Sequence, residues 1–139
     1  MQLRIKTTGF ALTPLLEKLC REKLLLPLEK RLGREFSEDL PLDVELAKIT
    51  RHHEEGRIWK CEINMALPHE KKTLYAEVLE ESIEAAVDVA KDDLEREVDR
   101  YKGRRFAQFR RAGRRLKEEL HISRLAKRAS NAYRWLRRR

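Results

Sequence analysis

The sequence predicts an α+β fold in the order β-α-β-β-β-α, a four-stranded sheet with two helices on one face, plus a basic helical C-terminal extension. Three observations predict it. Apolar and polar residues alternate in four short stretches, the mark of half-buried strands. Apolar residues recur every three or four positions in two longer stretches, the mark of amphipathic helices. The charge balance then changes sign near Gly103. A chain of 139 residues has room for one domain and an extension, which we assign to residues 1–103 and 104–139.

Residues 2–8 set Leu3 and Ile5 on one face against Arg4 and Lys6 on the other, which predicts the first strand. Thr13-Pro14 predicts a helix start, with Thr as N-cap and Pro at a position whose missing N–H has no intrahelical partner. This helix is expected to bury Leu15 or Leu16, then Leu19 and the chain as far as Leu24. Pro27 is expected to interrupt or kink it, and a second piece, 28–32, ends at Gly33. Strands are predicted over 43–50, 58–67 and 73–80. The second of these shows Trp59, Cys61, Ile63 and Met65 on one face, and Lys60, Glu62 and Asn64 on the other. The third shows Leu74, Ala76 and Val78 on its apolar face. Polar turns fall at His52-His53-Glu54-Glu55-Gly56 and over 68–72. Ser82 can cap a long helix with the stripe Ile83, Ala86, Val87, Ala90, Leu94, Val98 and Tyr101, which Gly103 is expected to close.

The extension differs in kind. Residues 104–139 hold 14 Lys/Arg against Glu118 and Glu119, a charge of +12. Residues 1–103 hold 18 Lys/Arg against 22 Asp/Glu, a charge of −4. A mildly acidic body with a strongly basic end points to contact with a polyanion through that end, and RNA is the partner expected. Phe106, Phe109, Leu116 and Leu120 lie at helical spacing, and so do Leu125, Ala129, Ala132, Tyr133 and Leu136 after Ser123. Both stretches therefore read as basic amphipathic helices, with Gly113 a weak point in the first.

The candidate RNA-binding residues of the body are Arg4, Lys6, Lys91, Arg96, Arg100 and Lys102. Those of the extension are Arg104, Arg105, Arg110, Arg111, Arg114, Arg115, Arg124, Lys127, Arg128, Arg137, Arg138 and Arg139. Arginine forks onto phosphate and stacks on bases, so these residue types suit the task. Phe106, Phe109, Tyr133 and Trp135 are interleaved with them and can stack on unpaired bases. The competing readings are solvated charges for the body cations, and aromatics packed on the body or on a dimer partner. A basic amphipathic helix can also lie on an anionic membrane, a lesser alternative here.

No catalytic constellation is present in the sequence, and no enzyme activity, metal, cofactor or small-molecule substrate is expected. His52-His53 beside Glu54-Glu55 are consecutive turn residues, which rarely converge on one ion. Asp92-Asp93 and Glu80-Glu81 lack a partner nucleophile or a glycine-rich phosphate loop. Cys20 and Cys61 share no paired spacing and read as small apolar groups in a reducing compartment. Neither a signal peptide nor an 18-residue apolar span is expected, so the protein reads as cytoplasmic.

The opening Met1-Gln2-Leu3-Arg4-Ile5 with Leu12-Thr13-Pro14 resembles the first strand and helix start of the ribosome hibernation-promoting factors, the ribosome-associated inhibitor A family. Leu28-Glu29-Lys30-Arg31-Leu32 is similar to that family's first-helix ending. Ala76-Glu77-Val78, Glu81-Ser82-Ile83-Glu84-Ala85-Ala86-Val87-Asp88 and Leu94-Glu95-Arg96 resemble its last strand and helix. The resemblance spans roughly residues 1–102; Glu84 and Asp93 stand where the family has tyrosine and lysine. It implies occupancy of the small ribosomal subunit's mRNA and tRNA channel through rRNA contacts; a homodimer, by contrast, is an option raised by the extension's helices, not by the resemblance. General structured-RNA binding away from the ribosome is one alternative, and a homo-oligomeric interaction protein is another.

Overall fold

Three of the four strands alternate between buried apolar side chains and more exposed, mostly polar ones, and the edge strand of residues 2–8 alternates half-buried with exposed, so only one face of the sheet can be covered. A computed structural model describes residues 1–33, 40–49, 56, 58–67 and 70–137. Its elements are β1 (Gln2–Thr8), α1 (Pro14–Cys20), a π-helical segment (Arg21–Leu25), α2 (Leu26–Leu32), β2 (Pro41–Lys48), β3 (Trp59–Ala66), β4 (Thr73–Glu80) and α3 (Ile83–Arg137). The turn predicted at 52–56 and the start of the one at 68–72 lie outside the described residues, apart from Gly56. The chain divides into two units, Met1–Arg100 and Tyr101–Arg139.

In the first unit the strands lie in the order β1-β2-β3-β4. β1 runs parallel to β2, with Ile5 opposite Val44, and the other two pairings are antiparallel. A parallel pair cannot be joined by a tight turn, and the helical stretch from Pro14 to Leu32 lies between β1 and β2 in the chain. The core collects Leu42, Val44 and Leu46 of β2, Cys61, Ile63 and Met65 of β3, and Leu74, Ala76 and Val78 of β4. The helices contribute Leu16, Cys20, Leu24, Leu28 and Leu32, then Ala86, Val87, Ala90, Leu94 and Val98. This is the predicted sandwich. Three ion pairs rim it, Lys23–Asp88 at 2.6 Å, Arg31–Glu95 at 3.1 Å and Arg31–Asp99 at 2.7 Å. Their exposure limits each to about 0–1 kcal/mol.

The local signals act as anticipated at both helix starts. The Leu16 N–H donates to Thr13 Oγ1 at 3.2 Å, and the Ala85 N–H donates to Ser82 Oγ at 3.1 Å. Gly9, with φ +82, lets the chain turn out of β1, and any Cβ there would meet the Lys48 carbonyl oxygen at 3.0 Å. Leu16, not Leu15, faces the core; Leu15 is 78% exposed. It borders a groove of about 430 Å³ with Leu19, Ile83, Phe10 and Trp59. Phe10 packs edge-on against Trp59 there, with centroids 5.2 Å apart.

Pro27 interrupts the α-helix as expected, through a π-helical segment just before it: the Leu26 N–H reaches back five residues to the Arg21 carbonyl, and α2 starts there with Pro27 in its first turn. The widened turn absorbs an extra residue beside the ring that would otherwise press on the preceding turn. One expectation is corrected: Gly103 does not end the last helix, because α3 continues to Arg137 through both Gly103 and Gly113. Neither glycine adopts a positive φ, and an interior glycine costs a helix only about 1 kcal/mol. The two helices expected in the extension are therefore one.

Truncating Leu16 to Ala should lower unfolding stability by about 2–5 kcal/mol. Leu15→Ala, by contrast, should move it by less than about 0.5 kcal/mol; chemical denaturation of the two variants checks which residue the core uses. Burial pushes the Cys20 thiol up to about 11 and the Cys61 thiol up to about 12, from an ordinary 9.0. The unfolded chain ionises first, so these thiols leave stability unchanged below pH 9 and reduce it as pH rises from there towards 11. Alkylation at pH 8 should accordingly modify neither cysteine until denaturant is added, as mass spectrometry would show.

Candidate nucleic-acid interface

The exposed face of the sheet carries its charges in cross-strand rows set by the register. Arg4 of β1 stands opposite Asp43 of β2, and Lys6 stands opposite Glu45. Arg4 grips Asp43 with both arms of its fork, Nε to Oδ1 at 2.5 Å and Nη2 to Oδ2 at 2.8 Å. That bond raises the guanidinium's pKa above its ordinary value. Lys6 Nζ lies 3.8 Å from Glu45, to which Thr8 also donates a hydrogen bond at 3.3 Å.

The row continues into the antiparallel strands. Lys60 sits 2.8 Å from Glu62 and 3.7 Å from Glu77, and Asn64 donates to Glu62 at 3.3 Å. Hydrogen bonding to Glu62 raises the Lys60 ammonium's pKa, and the same bond lowers that of the Glu62 carboxyl. Tyr75 donates to Glu77, which pushes the phenol up to about 12. Arg4, Lys6 and Lys60 thus share the face with Asp43, Glu45, Glu62 and Glu77, three cations among four carboxylates. The face is a network of paired charges, and phosphate contact there competes with carboxylates.

The candidate cations of α3 in the first unit are similarly engaged. Lys91 is 3.9 Å from Glu95, Arg96 pairs with Asp93, and Arg100 lies 2.6 Å from Glu97. These are neighbours one helical turn apart, exposed and individually weak.

The second unit is different. Lys102 opens it on the surface, and from there to Arg137 every residue is exposed except half-buried Ala107. Arg105 donates to the Tyr101 hydroxyl at 2.9 Å, and Arg110 stacks over Phe106 at 4.9 Å from the ring centre. Arg104, Arg111, Arg114, Arg115, Arg124, Lys127, Arg128 and Arg137 form no ion pair with any described residue. Arg138 and Arg139 lie outside the described residues. The aromatics lie open as well, with Phe106 60%, Phe109 78%, Tyr133 69% and Trp135 58% exposed. Unpaired guanidiniums lose no intramolecular partner when they meet phosphate, whereas the paired ones do.

Sequence reasoning found the cations and missed their partners. Asp43 and Glu45 are about 40 residues from Arg4 and Lys6 in the chain, and only the parallel β1–β2 register brings them together. Arg134, exposed in α3, belongs with the extension's cations and was signalled by the same basic run.

Comparison with known proteins supplies the context. A sequence profile of the family described as Sigma 54 modulation protein / S30EA ribosomal protein matches residues 3–105. No curated protein matches the chain. Among solved structures, the Protein Y N-terminal domain of Thermus thermophilus superposes with a TM-score of 0.53 at 22% identity, covering 73% of this chain and 99% of that one. A ribosomal subunit interface protein from Coxiella burnetii gives a TM-score of 0.54 at 20% identity, covering 74% and 99%. Both are similar to this chain in fold.

Removing the carboxylates should release the sheet cations. The double variant Asp43→Asn, Glu45→Gln should elute from a heparin column at clearly higher salt than the parent. Lys6→Gln alone should shift elution only slightly, since that ammonium is already paired.

Proposed function

The chain belongs to the Sigma 54 modulation protein / S30EA ribosomal protein family, and from that premise we propose that it is a ribosome hibernation factor of the cytoplasm that acts on the small subunit by occupancy. In this reading the body fills the channel where messenger and transfer RNA would sit, contacting rRNA, and the extension adds affinity. Initiation is blocked by exclusion, and no bond is made or broken.

One observation carries the division of labour. Arg4, Lys6, Lys91, Arg96 and Arg100 of the body are held by carboxylates, while most of the extension's described candidate cations form no ion pair with a described carboxylate. The body therefore contributes shape, which suits helical RNA, whose accessible groups are phosphates and 2′-hydroxyls more than base edges. The extension contributes most of the electrostatic attraction, through release of counterions. That same observation favours a second reading, a general structured-RNA binder, because a basic helix by itself reads no particular RNA. Equal affinity for arbitrary duplex RNA and for ribosomes would favour the second reading over the first.

Sedimentation with ribosomal subunits across a salt series tests the proposal. If the extension neutralises 6–10 phosphates, association should weaken by roughly 10³- to 10⁵-fold between 50 and 200 mM salt. Changing Arg110, Arg111, Arg114 and Arg115 to Gln should flatten the salt slope by about three to four. Arg4→Gln with Lys6→Gln should cost far less. Subunits that fail to bind the unaltered chain at low salt would rule the proposal out.

A further inference from the structure

Because α3 is one helix through residue 137, all side chains of the extension share a single helical phase. At about 100° per residue, Phe106, Phe109, Leu116 and Leu120 project to one side within an arc of about 80°. Ile122, Leu125, Ala129, Ala132 and Leu136 fill an arc of similar width on the opposite side, about 170° away. The apolar stripe changes sides between Leu120 and Ile122.

The cations change sides with it. Four of the seven cations in the first half, Arg104, Arg111, Arg114 and Arg115, lie opposite the first stripe, with Glu118 among them offsetting one charge. Arg124, Lys127 and Arg134 lie opposite the second, on the side where the first half is apolar, with Arg128 on the flank between the two sides. All eight are exposed. Each cationic patch is roughly 15–17 Å long at 1.5 Å per residue, and the two point in opposite directions.

This arrangement suits neither a membrane surface nor a single partner helix. Both need one apolar side along the whole length, and here the two halves present opposite sides. What it fits is a polyanion on each side. We propose that the extension holds two separate RNA segments at once, residues 104–115 gripping one and residues 124–134 the other from the opposite side. The inference rests on the reading that the extension binds RNA, and it specifies the mode: the helix lies between two RNA strands or duplexes instead of along one. In a folded RNA this gives a clamp between neighbouring elements, with affinity drawn from both.

The test uses the full chain and two short RNA duplexes, one bearing a donor fluorophore and the other an acceptor, with RNA in excess. Inserting two alanines between His121 and Ile122 turns the second half by about 200° and brings both cationic patches to one side without altering charge. The unaltered chain should bring donor and acceptor together. The insertion variant, with its helix content checked by circular dichroism, should lose that transfer. Its salt slope on a single duplex should rise roughly twofold, because more phosphates of one RNA are neutralised. Transfer that persists in the insertion variant overturns the two-sided mode. So does an unaltered chain that binds single duplexes without transfer, although RNA binding itself then stands. If the unaltered chain binds neither duplex at low salt, the underlying RNA reading fails as well.

Discussion

The parallel pairing of β1 with β2 is the constraint on which the rest of the first unit depends. Two parallel neighbours need a long connection, and here that connection is helical and packs over the sheet. The sheet is then covered on one face and wet on the other, which accounts for the alternation in every strand. The same pairing sets the chemistry of the wet face. A shift of one residue in the register would bury Arg4 and Lys6 and separate them from Asp43 and Glu45.

Two kinds of cation result. Arg4 and Lys6 on the sheet and Arg96 and Arg100 on the first part of α3 are tied to carboxylates, by cross-strand register in one case and by one-turn spacing in the other. Those of the extension face water with few acids nearby. A partner carrying phosphate must exchange one ion pair for another at Arg4, Lys6, Lys91, Arg96 and Arg100, but not at most of the described cations of the extension. Net charge alone would not reveal this, since paired and unpaired arginines count equally in it.

Local signals were legible in the sequence. Thr13-Pro14, Ser82, Gly33 and the alternation of β3 and β4 act through neighbours a few residues away, and the structure uses them as read. Non-local facts were not legible. Which carboxylate faces Arg4 depends on pairing across some 40 residues of chain. The π-turn beside Pro27 and the passage of α3 through Gly103 are small energetic preferences decided by context. The helical spacing of both stripes in the extension was visible, but their opposition was not. Two separate helices have no common phase, and the phase exists only once the helix is continuous.

That opposition also bears on how the chain behaves when concentrated. An apolar seam running unbroken along the extension would span more than four heptads, enough to zip with another helix into a coiled coil. Changing sides after Leu120 cuts the seam into two pieces of about two heptads each, and each lies across the helix from a row of positive charge. A second extension laid alongside can match one piece only by setting cations against the other. The exposed phenylalanines and leucines are thereby spread out where they might have fused into one sticky edge, so the helix can carry large apolar side chains into water and remain colloidally stable.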